Sequence, residues 1–273
     1  MKSWLILTAA LLLPSVANAA DYWIETADGK CEIWNDEPPE SSDVITWTGK
    51  CDGGKASGEG LLIWMRDGKL FGRFEGAMDE GKLNGKGVLV VKAEDGDGYD
   101  RMRATFVNGE AEGKATFVGG NGDYFEGEAK GGKASGFGIA SDANGDAYEG
   151  NFVNDEPEGR GYAILADGTE YYGEFKDGKR HGNGFLIEGD GTIYVGQFEK
   201  GLAHGYGRLE DENGLYSGSF KHGRPSGPGT FIDGEGQIYQ GTFRDGTPEG
   251  KVLVTRADGA QSIETWKNGE EVE

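Results

Sequence analysis

The stretch 171–193, YYGEFKDGKRHGNGFLIEGDGTI, returns at 194 as YVGQFEKGLAHGYGRLEDENGL, at 216 as YSGSFKHGRPSGPGTFIDGEGQI and at 239 as YQGTFRDGTPEGKVLVTRADGA. The starts lie 23, 22 and 23 residues apart, and a fixed period in this range marks a repeat architecture. Within one unit, Tyr171, Gly173 and Phe175 alternate with Tyr172, Glu174 and Lys176. Period-two alternation predicts a strand with the first set on one face and the polar set on the other. Asp177-Gly178-Lys179 predicts a hairpin turn, because Asp-Gly suits a turn with positive φ. Gly182, Gly184 and Leu186 open the returning strand. Glycine weakens a strand interior, so its recurrence implies close approach, with the glycine column making room for aromatic rings. A second turn at Gly189-Asp190-Gly191 leads to Tyr194. Each repeat is expected to be one β-hairpin, with successive hairpins adding side by side.

The pattern Tyr-x-Gly-x-Phe-x-x-Gly-x-x-x-Gly-x-Gly, matched several times in register, resembles the MORN (membrane occupation and recognition nexus) repeat. The resemblance implies an all-β fold: one elongated, twisted, single-layer antiparallel sheet of stacked hairpins. It also implies protein-interaction roles, and the family name implies membrane-surface attachment.

Earlier units are less regular. They start at Trp47, Phe74, Met102, Phe125 and Tyr148, in steps of 27, 28, 23 and 23 residues. Trp47 replaces Tyr, Cys51 and Met78 take Phe positions, and Ala104 and Ala115 stand where Gly is usual. The longer steps leave room for extended turns near 66–73 and 94–100. A remnant from Ser262 keeps Trp266 in the Phe position. The array is thus nine units plus a remnant over 47–273. Residues 20–46 differ and read as an N-terminal cap, since a stacked array must cover its terminal edge. Trp23, Trp34, Trp47 and Trp64 cluster in and beside this cap, suited either to packing or to binding sugar rings or a protein.

Residues 1–19 read as a secretory signal peptide: Lys2, an apolar run from Trp4 to Leu13, and Ala17-Asn18-Ala19 as cleavage site. About 10 apolar residues are too few to span a bilayer, which takes about 20. The expectation is a secreted protein of bacterial type, periplasmic or extracellular. Cleavage removes Lys2 and leaves 26 basic and 48 acidic residues, a net charge of −22. That charge disfavours nucleic acid and anionic lipid. It gives a well-solvated surface or one that attracts a cationic partner or divalent ions. Cys31 and Cys51 are the only cysteines. In an oxidising compartment they are expected to form a disulfide stapling the cap to the first repeat.

Little in the chain points to catalysis. There is no G-x-S-x-G elbow, HExxH or P-loop. The three histidines all lie within repeats: His181 and His204 hold the same position one hairpin apart, and His222 sits in a turn. A spacing of two strands, about 10 Å, is too wide for one shared metal ion. The acidic runs at Asp95–Asp100 and Asp142–Asp146 lack the sixth-position Gly and twelfth-position Glu of an EF-hand. No enzyme activity, metal or cofactor is expected.

What remains is the array itself. Tyr148, Tyr171, Tyr194, Tyr216 and Tyr239 form one expected column, and Phe152, Phe175, Phe198, Phe220 and Phe243 another. They either pack between repeats or line an accessible groove, where rigid tyrosines would anchor an extended peptide. The expected function is a non-enzymatic scaffold that binds a protein partner through an aromatic and acidic surface. Membrane attachment is the alternative, and a glycan-binding or glycan-acting protein a further one. An open end strand also allows a homodimer.

Overall fold

The computed structural model describes residues 22–35, 38–93 and 98–272. The segment 1–19 lies outside them, as do residues 95–97 of the first acidic run. The fold is all-β, an open antiparallel sheet built from hairpins, with twenty-three strands among the described residues. The chain divides into two units, 1–156 and 157–273.

The first unit holds β1 (Tyr22–Glu25), β2 (Glu32–Asn35), β3 (Val44–Trp47), β4 (Lys50–Asp52), β5 (Lys55–Arg66), β6 (Lys69–Asp79), β7 (Lys82–Lys92), β8 (Tyr99–Val107), β9 (Glu110–Val118), β10 (Tyr124–Lys130), β11 (Lys133–Ser141) and β12 (Ala147–Val153). From β5 to β12 each strand pairs antiparallel with its successor. The second unit holds β13 (Glu156–Ile164, opening at the boundary), β14 (Glu170–Lys176), β15 (Lys179–Ile187), β16 (Ile193–Glu199), β17 (Leu202–Asp211), β18 (Gly214–Lys221), β19 (Arg224–Asp233), β20 (Ile238–Arg244), β21 (Thr247–Thr255), β22 (Gln261–Lys267) and β23 (Glu270–Val272). These also pair in sequence order.

The tight turns follow from their residues. Asp177 and Gly178 have φ of 49° and 68°, and Asp245 and Gly246 49° and 101°. Two positive φ values in a two-residue loop match the twist of a hairpin. Each turn also binds its neighbour. Gly178, Gly201, Gly223 and Gly246 donate their N–H to the carbonyls of Pro157, Arg180, Ala203 and Pro225, at 2.9–3.1 Å. In the first unit Gly81 and Gly109 do the same to Ala56 and Leu83.

The cap is more than an end cover. β1 and β2 form a hairpin, and β2 crosses the row of turns: Glu32 donates to the Gly54 carbonyl and Trp34 to that of Gly81. The disulfide between Cys31 and Cys51 joins the residue before β2 to β4. The four tryptophans are half-buried. Lys55 lies over Trp23 and Lys82 over Trp34. β3 starts at Val44, inside the segment read as cap, and pairs Ile45 with Trp64.

The acidic loop at 142–146 is a turn. Asp142 Oδ1 accepts from the backbone N–H of Asn144 and Asp146, at 2.8 and 3.0 Å. Asp167, Asp190 and Asp258 act alike in their turns.

Candidate binding surfaces

The two glycines of each Gly-x-Gly do different work. The first, at residues 58, 85, 113, 136, 159, 182, 205, 227 and 250, has φ between 54° and 115°, a range L side chains avoid. One stands in each of the nine units. It forms a bulge: Gly173 pairs with Gly184 and Glu174 with His181, leaving residues 182–183 extra on β15. The Glu174 carboxylate accepts the freed Asn183 N–H at 3.1 Å. Gln197 does the same for Tyr206 at 2.9 Å. The second glycine is a floor. A Cβ on Gly173 or Gly184 would collide with the Tyr171 ring, and one on Gly196 or Gly207 with that of Tyr194.

The ring lies flat, so its hydroxyl reaches a carbonyl beside the bulge. Tyr148, Tyr171, Tyr194 and Tyr216 donate to the carbonyls of Asn151, Glu174, Gln197 and Ser219, at 2.9–3.1 Å. Trp47 does likewise from its indole N–H to Lys50, at 3.0 Å. In the second unit the rings stack edge to face without a break, from Tyr171–Phe175 to Tyr216–Phe243, with centroids 4.9–5.2 Å apart. Burial pushes the hydroxyls of Tyr171, Tyr194 and Tyr216 up to about 12.

Of the two readings of these columns, packing between repeats or an accessible groove, the burial fits packing for nine of the ten residues. Tyr148, Phe152, Tyr171, Phe175, Tyr194, Phe198, Tyr216, Phe220 and Phe243 are at most 4% exposed. They are the core, because glycine floors let each ring lie down against the sheet. Tyr239 alone is half-exposed.

Its departure has a local cause. Where the second glycine of the unit should stand, the chain has Val252, fully buried. A Cβ on Gly241 would meet Val252 and not a tyrosine ring. Without a floor, Tyr239 turns aside: its hydroxyl bonds Asp233 Oδ2 at 3.3 Å, and its ring meets Phe231 and Trp266. Burial raises the Tyr239 hydroxyl above its ordinary value, with Asp233, Glu264 and Glu235 adding to the shift. A cleft of about 490 Å³ opens among Leu209, Asp211, Tyr216, Pro225, Phe231, Tyr239, Phe243, Pro248 and Trp266. Trp266 Nε1 is buried there and has no hydrogen-bond partner among the described residues. Three of the ten aromatic residues named from sequence therefore line a cavity. Phe231, Trp266 and Val252 were missed, although the lapse from Gly-x-Gly to Gly250-Lys251-Val252 is visible in the sequence.

The opposite face carries its own apolar row. Tyr162 pairs with Tyr172, Tyr172 with Phe185 and Phe185 with Val195. Tyr172 is 60% exposed, Phe185 39% and Val195 46%, and Tyr206 beyond them is 65% exposed. In the first unit, at the repeat positions equivalent to Tyr172 and its neighbours, Val88, Arg103, Thr116, Glu126 and Ile139 form one row lining a shallow trough.

The histidines pair differently from their sequence slots. His204 faces His222, ring centroids 6.3 Å apart, and its Nε2 lies 3.4 Å from Glu199. Among the described residues, no group of three or more His, Cys, Asp or Glu side chains converges on a point that could hold a metal ion.

These features define a hairpin-repeat scaffold with two dissimilar faces. The chain belongs to the MORN repeat family, whose model matches residues 74–90, 104–124, 125–147, 148–170, 171–193, 194–215, 216–238 and 239–259. That family is a non-catalytic repeat scaffold. Among curated proteins, none matches this sequence. Among solved structures, the chain is similar to the SAS-4 (dCPAP) TCP domain of Drosophila melanogaster, solved with a proline-rich motif of Ana2 (dSTIL). Identity is 9% and the TM-score 0.30, over 67% of this chain and 85% of that one.

Proposed function

We propose that this MORN repeat chain is a non-enzymatic scaffold, exported from the cytoplasm, that binds a protein partner across its exposed aromatic face. The row Tyr172, Phe185 and Val195 carries this reading. Contiguous exposed apolar residues on a rigid sheet mark interaction sites, and tyrosine is enriched at binding hot spots. The formal net charge of −21 disfavours an anionic membrane as the target and favours a basic partner. Export rests on the leader read at residues 1–19, and periplasm or exterior is the compartment proposed.

The test is crosslinked capture from envelope and secreted fractions, with Y172A/F185A as control. One protein retained at high salt and lost with the double variant is the expected result. Capture that is indifferent to the variant, or of lipid or of the chain itself, sinks the assignment to this face. Mass spectrometry of the secreted chain tests export: its N-terminus should be Ala20.

A further inference from the structure

The cleft around Tyr239 lies on the other face from the Tyr172 row, so its reading stands apart from the proposal above. The protein contains its own model for the occupant. Pairing places Phe175 opposite Arg180, and Phe220 opposite Pro225. Arg180 and Pro225 thus hold the same position in their repeats. In the earlier repeat that space is filled: the Arg180 guanidinium lies 5.9 Å from the centroid of the Tyr171 ring and 5.5 Å from that of Phe198. The equivalents of those rings, Tyr216 and Phe243, line the cleft. Burial lowers the Arg180 pKa, and Glu188 counters it. Under the same offset, which takes Arg180 to Pro225, the position equivalent to Glu188 is Asp233.

The cleft therefore repeats the surroundings of Arg180 with the arginine left out. Pro225 and Pro248 cannot reach across it. The aromatic walls are Tyr216, Phe231, Tyr239, Phe243 and Trp266, and Asp211 is held at the wall by the N–H groups of Asn213 and Gly214, at 2.8 and 3.2 Å. Ring faces with a nearby carboxylate suit a planar cation that is weakly hydrated, which describes guanidinium better than ammonium. A volume of about 490 Å³ is in the range of ligand pockets rather than of one side chain, so flanking chain can enter with the cation.

We propose that this cleft receives an arginine side chain of a partner peptide, in the place that Arg180 fills in the repeat 171–193. Proline at 225 keeps the slot open, and Val252 keeps Tyr239 turned to its mouth.

The probe is N-acetyl-arginine amide, titrated into the whole protein while the Trp266 indole N–H resonance is followed. The expected result is a saturable shift, with the citrulline analogue, neutral and nearly isosteric, at least about tenfold weaker. D211N should weaken binding, and P225R, which refills the slot from within, should abolish it. V252G should also weaken it by restoring the floor for Tyr239. Should V252G fail to fold, P225R and D211N carry the test, with the amide spectrum reporting their fold. A capped hexapeptide with central arginine should bind more tightly than the single residue. No shift at Trp266, equal binding of citrulline, or unchanged binding by P225R overturns the proposal. So does a hexapeptide that binds no better than the amide, because the occupant is then not a peptide. Loss of capture by Y172A/F185A with arginine binding intact separates the two faces.

Discussion

At the scale of the residue, the tyrosine hydroxyl and the glycine beneath its ring are one device. Tyr194→Phe removes the bond to the Gln197 carbonyl and should cost about 1 kcal/mol, read as a fall in the urea midpoint. Gly207→Ala pushes a methyl into the Tyr194 ring and should cost about 1–3 kcal/mol. Buried tyrosines also predict alkaline sensitivity. Tyr171, Tyr194 and Tyr216 ionise at about 12 when folded, against an ordinary value of about 10. The folded state keeps these protons longer than the unfolded chain does. The stability they contribute is whole below pH ~10 and is lost as pH rises toward ~12. Urea unfolding at several pH values across that window checks it, and a flat profile counts against neutral buried rings. Lys200 has φ of 52° in a turn. Lys200→Asn, which tolerates that conformation, should gain roughly 0.5 kcal/mol.

At the scale of the element, the hairpin is set by its bulge and its turn. Gly205→Ala places a side chain at φ 66° against Gln197 and should cost about 1–2 kcal/mol. The cap hairpin depends on its staple: C31S/C51S should cost about 3 kcal/mol by freeing a 20-residue separation in the unfolded chain. Thermal unfolding with and without reductant measures it. Hairpins, turns and the purpose of the glycine column were legible in sequence, because Asp-Gly turns and period-two alternation act over a few residues. The bulge was not, since Gly182 and Gly184 look alike until one is seen to need positive φ and the other an absent Cβ. The route of β2 across the turns was hidden too. Its bonds from Glu32 and Trp34 run between backbone groups, which leave no side-chain signature.

At the scale of the molecule, stability should behave as a sum over neighbours. A destabilising change such as Gly207→Ala should speed amide exchange in β16–β18 and leave β5–β7 unaltered. Global acceleration would show longer-range cooperation. The period and the family were readable from 171–193 and its returns at 194, 216 and 239. Which aromatic residues reach solvent was not. Alternation says that Tyr171 and Tyr172 face opposite ways, and only packing says that the Tyr171 side is closed. Tyr239 escapes because of Val252, thirteen positions later in sequence and one strand away in space.

The turn-to-turn bonds, from Gly201 to Arg180 and from Gly223 to Ala203, have a mechanical meaning. Together with the ladders between strands they lie across the path of the chain. A pull along the chain loads them one after another, as in a zip, and not all at once. Under a steadily rising force the repeats of 171–259 should release singly, at low force. Each 22- or 23-residue unit should yield up to about 80 Å of slack, giving a sawtooth whose tooth spacing is the sequence period. Between Cys31 and Cys51 the disulfide withholds its loop, so that segment should lengthen only after reduction. A protein built this way would serve as an extensible tether whose length is metered in whole repeats.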